Sequence, residues 1–184
     1  MPAAARVAFF GTPEFALPTL AALVESGRPP ALVVTRPARP AGRGRQMQEP
    51  PVARWARRHG LPVAQPRRVA DPEFIATLRA LAPEVAVVVA FGQIFPRALL
   101  AALRLGCVNL HGSLLPRWRG AGPVAAAIAA GDPVTGVTTM LMEEALDSGP
   151  ILLQEEARIG ERETAAELGA RLAALGGPLV VRTL

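Results

Sequence analysis

Val85-Ala86-Val87-Val88-Val89-Ala90 is apolar at every position, and four of its six residues are valine. A strand with one wet face alternates apolar and polar side chains; a strand covered on both faces has no reason to. The stretch therefore predicts a buried strand of a parallel sheet with helices on either side. Extended to Phe91 it is still far too short to span a bilayer. Outward from it the chain keeps one rhythm. Arg6-Val7-Ala8-Phe9-Phe10 predicts a first strand ending at Gly11, residues 31–35 a second, and Val63-Ala64-Gln65 a brief third. Residues 13–26 carry Phe15, Leu17, Leu20, Leu23 and Val24 at helical spacing before Gly27. Residues 51–59 predict a helix ended by Gly60, and residues 71–81 a helix opened by an Asp71 cap with Pro72 in its first turn.

Beyond the central stretch, residues 96–103 predict a helix, 106–110 a strand, and 123–130 a helix closed by Gly131. Residues 134–142 and 150–156 alternate more and predict late, antiparallel strands; residues 161–175 predict a terminal helix. Strands alternating with helices make the class α/β, with a doubly wound, mostly parallel sheet in one domain, residues 1–184. Ligands of such sheets sit at the carboxyl ends of the strands. Dinucleotide binding is disfavoured: Gly11-Thr12-Pro13-Glu14-Phe15 has one glycine where the phosphate fingerprint needs three, and Glu14 repels pyrophosphate. A Walker-type loop needs a lysine, and the chain has none.

The composition, 51% hydrophobic and 19% charged, is that of a globular chain rather than a disordered one. Residues 1–6 lack a basic start and a long apolar core, so no signal peptide is expected. A single cysteine, Cys107, excludes an internal disulfide and fits a reducing, cytoplasmic compartment; its apolar neighbours predict packing. No His/Cys cluster has metal-ligand spacing, so no metal is expected. The net charge of +5 is uneven. Nine arginines lie between Arg36 and Arg68 with one acid, Glu49, so this segment carries +8 and the remainder is negative. Residues 36–50, with three prolines, two glycines and four arginines, predict a basic loop suited to a polyanion.

Three polar side chains stand out: Asn109, His111 and Asp147. Cys107-Val108-Asn109-Leu110-His111 reads as a buried strand, in which Asn109 and His111 share a face. Gly112-Ser113-Leu114-Leu115-Pro116 turns the chain sharply after it. Asp147 lies in a second loop, Glu144-Ala145-Leu146-Asp147-Ser148-Gly149. An amide, an imidazole and a carboxylate at strand ends suit chemistry at a carbonyl carbon: the first two can hold an oxyanion and the third can manage protons.

Phe10-Gly11-Thr12-Pro13-Glu14-Phe15-Ala16, Arg39-Pro40-Ala41-Gly42-Arg43-Gly44, Ala90-Phe91-Gly92-Gln93-Ile94-Phe95-Pro96, the run from Asn109 to Gly120, and Leu146-Asp147-Ser148-Gly149 follow one another in order. Together they resemble the N-terminal catalytic domain of the methionyl-tRNA formyltransferase family. The Ser-Leu-Leu-Pro segment is shared with related folate-dependent formyltransferases, whereas Arg-Pro-Ala-Gly-Arg-Gly points to the tRNA enzymes. The resemblance implies a Rossmann-like formyltransferase fold. It also implies 10-formyltetrahydrofolate as donor and initiator methionyl-tRNA as acceptor, with Asn109, His111 and Asp147 as catalytic residues in a direct transfer. The donor's flat pterin suits a slot with apolar walls and free backbone groups. Phe91, Gly92, Gln93, Ile94 and Glu143 are candidates for that slot, and the resemblance adds Ser113, Leu114, Leu115 and Pro116. Arg39, Arg43 and Arg45 resemble the family's tRNA-contacting insertion, and Arg117 and Arg119 are placed to hold terminal phosphates. A monomer with no membrane association is expected.

The chain departs from the family pattern at Ala38, where an acid is usual, at Phe91, where a tyrosine is common, and at Ala145, where a glycine is common. The family carries a linker and a second, β-barrel-like domain; residues 1–184 are expected to be the catalytic domain without them, with low tRNA affinity. Two rivals remain. One is a sister formyltransferase acting on a nucleotide sugar or a purine intermediate. The other is a non-catalytic RNA-binding module with an idle folate pocket.

Overall fold

A computed structural model describes residues 5–41 and 46–184. Its main sheet is built from β1 (Val7–Gly11), β2 (Leu32–Val34), β5 (Val63–Ala64), β6 (Val85–Val89), β7 (Cys107–His111), β8 (Val134–Leu141) and β9 (Ile151–Arg158). The spatial order is β5-β2-β1-β6-β7-β8-β9. The first five of these neighbours pair in parallel; β8 runs antiparallel to both β7 and β9. The late strands are thus antiparallel, as their alternation predicted. The helices are α1 (Leu17–Glu25), α2 (Pro51–Arg58), α3 (Pro72–Leu81), α4 (Arg97–Leu100), α5 (Pro123–Ala129) and α6 (Ala165–Thr183).

The unbroken apolar run of β6 is explained by what its two faces meet. Val85, Val87 and Val89 enter one core with Leu20 and Leu23 of α1, Val52 of α2, and Leu168, Leu172 and Leu179 of α6. Ala86 and Val88 enter a second core with Phe74, Ile75 and Leu78 of α3 and Leu99 of α4. Alternate residues of one strand serve two cores, so neither set can be polar. On β7 the same alternation sends Val108 and Leu110 into the first core. Cys107, Asn109 and His111 face the other way, and Cys107 packs in the second core. Burial pushes the Cys107 thiol up to about 12, which keeps it an inert packing group.

Three expectations are corrected. Residues 36–50 are not all loop: β3 (Arg39–Ala41) and β4 (Gln46–Gln48) form an antiparallel ribbon in the register Arg39↔Gln48, Pro40↔Met47 and Ala41↔Gln46. A two-stranded ribbon has only edges, so Pro40 is tolerated there without an N–H. Arg43 and Arg45, in the connection, lie outside the described residues. The helix expected over 96–103 is a single turn, Arg97–Leu100. The chain is drawn back to the sheet at once, with the Leu105 N–H donating to the Glu84 carbonyl (2.7 Å). The last helix does not stop at Leu175 but runs through Gly176, Gly177 and Pro178 to Thr183. The two glycines are a close-packing face rather than a terminator. A Cβ on Gly176 would overlap the Leu110 side chain of β7, and one on Gly177 would lie 2.9 Å from the Pro18 carbonyl oxygen of α1.

The start of α3 follows the residue expected of it: Asp71 accepts from the Glu73 N–H (3.0 Å). The last helix begins at Ala165 rather than at residue 161, behind a reciprocal capping box of Thr164 and Glu167. Among the described residues no helix is long and apolar enough to cross a membrane.

Candidate active site

A cavity of about 670 Å³ opens at the carboxyl ends of β6 and β7. Asn109, His111 and Asp147 all line it. The first two arrive through strand alternation: Asn109 lies between Val88 of β6 and Met140 of β8, and His111 is paired with Thr138. Asp147 is brought in by the loop between β8 and β9. Its φ of +47° is a left-handed conformation that aspartate tolerates better than most side chains.

His111 is buried (7% exposed) and both its ring nitrogens have neighbours. Nε2 lies 2.8 Å from the Trp118 carbonyl oxygen, and Nδ1 lies 3.6 Å from Asp147 Oδ2. A carbonyl can only accept, so Nε2 carries the proton and donates it. Nδ1 is then the nitrogen free to gain and lose a proton, and it is the one facing the carboxylate. Asp147 Oδ2 accepts a short bond from the Gly120 N–H (2.7 Å). The carboxylate is therefore fixed in position without being consumed by the imidazole.

The residues expected to hold a flat ligand divide into two groups. Phe91, Gly92, Gln93, Ile94 and Glu143 line the cavity. Phe91 is buried, with its ring edge-on to Phe10 (5.5 Å) and Phe95 (6.0 Å). Gly92 has φ +77°, and the Arg36 guanidinium lies 3.2 Å from where a Cβ would stand, so both backbone shape and space call for glycine. The Gln93 side chain is held by Val69 N–H and the Arg67 carbonyl, which fixes the loop from behind. Ile94 (84% exposed) and Leu146 (71% exposed) stand bare at the cavity rim.

Ser113, Leu114, Leu115 and Pro116 do not line the cavity. Ser113 is fully buried and donates to the Arg117 carbonyl (2.6 Å), while Thr138 and Gln154 hold the Ser113 and Leu115 carbonyls. Leu114 rests against Gly136. The turn is anchored on β8 and β9 and serves as a support behind the site. Residues not anticipated also line the cavity: Phe15, Met140 and Met142. Met140 is the cross-strand partner of Asn109, a neighbour that only the register reveals.

Of the arginines, Arg39 is exposed on β3 and Arg119 is exposed next to Gly120. Arg117 is engaged: it grips Asp132 through Nε (2.9 Å) and Nη2 (2.6 Å), and its guanidinium lies 4.8 Å from the Trp118 ring centroid. The Arg117 guanidinium, then the Trp118 indole N–H, hold the Asp132 carboxyl below the usual carboxylate range. With the folded value lowered, this contact contributes above the ordinary Asp range and is lost as pH falls through the lowered value. Among the described residues, no group of three or more His, Cys, Asp or Glu side chains is arranged to hold a metal ion.

Among the described residues four non-glycine positions have positive φ, and three of them, Ala90 (+47°), Trp118 (+57°) and Asp147 (+47°), belong to this site or to the turn that holds it. Such conformations cost free energy and persist where the surroundings impose them, which is most common at functional sites.

The formyl transferase family model matches residues 5–184. The methionyl-tRNA formyltransferase of Halorhodospira halophila is 55% identical over 181 residues, covering 98% of this chain and 58% of that protein. The methionyl-tRNA formyltransferase of Methylococcus capsulatus is 52% identical over 179 residues, covering 97% of this chain and 58% of that protein. The crystal structure of phosphoribosylglycinamide formyltransferase from Bacillus halodurans superposes with a TM-score of 0.79 at 27% identity, covering 97% of this chain and 92% of that one. The chain thus spans 58% of the length of the two curated relatives. A match over nearly all of its residues, on a mostly parallel sheet with a cavity at its strand ends, establishes that this chain belongs to the formyl transferase family.

Proposed function

We propose that this chain is the catalytic domain of an enzyme that moves a formyl group from 10-formyltetrahydrofolate to the α-amino group of methionine on initiator tRNA. The observation that carries the reading is the convergence of Asn109, His111 and Asp147 on one cavity. The Asn109 amide is half-buried in its lining, and the His111 Nδ1 edge is the ring edge not committed to Trp118. With a proton on Nδ1 as well, His111 as an imidazolium would offer the formyl oxygen a second donor beside the amide, and one such donor is worth on the order of 3 kcal/mol. Asp147 orients the imidazole and takes part in removing the proton of the attacking amine, directly or through a water. The amine attacks the formyl carbon directly; the tetrahedral intermediate then collapses with cleavage of the formyl C–N10 bond, and the proton taken from the amine is delivered to N10 of the departing tetrahydrofolate.

The donor fits the cavity in size and lining. Flat ligands of this class occupy pockets of about 300–1,000 Å³ with apolar walls and few polar groups. Phe91, Ile94 and Leu146 supply walls; Gly92, Gln93 and Glu143 bring polar groups. A bound pterin would cover the bare side chains of Ile94 and Leu146. Ile94→Ala is therefore expected to weaken a folate analogue about tenfold, since losing an apolar contact of this size removes roughly 1.5 kcal/mol. Titration by fluorescence checks it, and unchanged affinity would place the pterin elsewhere.

Acceptor choice rests on the basic segment around β3 and β4 and on the similarity to methionyl-tRNA formyltransferases. Arg43→Ala with Arg45→Ala is expected to weaken use of tRNA and to lower the slope of affinity against salt by about two phosphate contacts. An unchanged slope would show that this segment is not the contact. A second reading, a small phosphorylated amine as acceptor, is favoured by the likeness to phosphoribosylglycinamide formyltransferase. Formylation assayed side by side with methionyl-tRNA and small amines separates the two. Transfer confined to the small amines would end the tRNA reading.

A further inference from the structure

Asp132 lies outside the cavity, between α5 and β8, yet it receives three hydrogen bonds from the turn that follows His111. Oδ1 accepts from Arg117 Nη2 (2.6 Å), and Oδ2 accepts from Arg117 Nε (2.9 Å) and Trp118 Nε1 (2.7 Å). The Asp132 side chain is only 10% exposed. The residue it grips, Trp118, has a left-handed backbone (φ +57°) that an aromatic side chain does not adopt without being held. That backbone turns the Trp118 carbonyl onto His111 Nε2 (2.8 Å). Two residues on, the Gly120 N–H meets Asp147 Oδ2 (2.7 Å). One short segment thus holds both groups at the reacting end of the cavity, and Asp132 holds that segment.

We propose that Asp132 is a positioning residue, which fixes the turn carrying Trp118 and Gly120 so that His111 keeps its proton on Nε2 and presents Nδ1 toward Asp147. It touches neither donor nor acceptor and acts through His111. The consequence for catalysis rests on the role given to His111 above; the consequence for the imidazole does not. With the grip removed, the Trp118 carbonyl is free to leave Nε2. The ring then exchanges between its two neutral tautomers, and a share of the molecules no longer offers a bare Nδ1.

The chain has two histidines, His59 and His111, so its imidazole nitrogens can be followed one by one in the nitrogen-15-labelled full chain. His59, stacked on Trp55 away from this turn, is assigned by His59→Gln. In the parent chain, neutral His111 is expected to show a protonated Nε2 and a bare Nδ1. In Asp132→Ala the two signals are expected to move toward each other. Formyl transfer is expected to lose about tenfold to a hundredfold in kcat, as displaced catalytic groups do, with KM for the folate donor little changed. Asp132→Asn, which still accepts from the indole, is expected to restore most of both. Trp118→Phe removes the indole N–H together with the larger ring beside Arg117, leaves Asp132 in place, and serves if Asp132→Ala does not fold. Unchanged His111 signals in a folded Asp132→Ala or Trp118→Phe chain would overturn the proposal, whatever the activity does. Altered signals with unchanged transfer would uphold the positioning and overturn the role of His111 in the reaction.

Discussion

His111→Ala is expected to lower formyl transfer by about a hundredfold to a thousandfold in kcat, the loss that follows removal of one oxyanion donor. On the proposed reading two contributions leave with the ring: the imidazolium's hydrogen bond to the formyl oxygen and the partner that Asp147 faces at 3.6 Å. The fold should survive. His111 is at the carboxyl end of β7, and the only bond among the described residues that the truncation breaks outright is Nε2 to the Trp118 carbonyl. The imidazole itself lines a cavity of about 670 Å³, so water can take its place against that carbonyl. Circular dichroism and folate-analogue affinity should therefore stay near the parent values while single-turnover transfer collapses. Undiminished turnover in a folded His111→Ala chain would favour an idle pocket over an enzyme.

Gly136→Ala should have the largest effect on stability. Gly136 is buried in β8, opposite Glu156 of β9, and a Cβ there would overlap the Glu155 carbonyl oxygen. Backbone cannot swing aside as a side chain can, so the ladder between β8 and β9 must open. The same Cβ would press on Leu114, the first leucine of the turn behind the site. A loss on the order of 3–5 kcal/mol is expected, comparable with severe core lesions. For a chain of this size, that lowers Tm by roughly 10 °C or more. Thermal melts monitored by circular dichroism test it. A Tm within about 2 °C of the parent would show that β9 yields at no cost, contrary to the packing described.

The sheet was legible because its cause is local. β6 has no polar residue because it has two cores to fill, and Asp71-Pro72 marks a helix start whatever surrounds it. The sharing of one face by Asn109 and His111 was legible for the same reason, since strand alternation needs no tertiary knowledge. What stayed hidden depends on partners distant in sequence. Gly176-Gly177-Pro178 reads as a helix end until Leu110 and Pro18 are seen to require the missing side chains. Pro40 reads as loop until β4 lies beside it. The sequence does not show that Thr138 and Gln154 anchor the Leu114-Leu115 turn through the Leu115 backbone. Nor does it show that Arg117 pairs with Asp132.

Leu110 separates the two groups at the heart of the cavity, and its side chain points the opposite way, onto the bare Gly176 of the last helix. That helix acts as a backstop. Any bulk added at Gly176 would be transmitted through a single leucine into the spacing of the amide and the imidazole. The last helix is thus mechanically wired to the chemistry without contributing an atom to it.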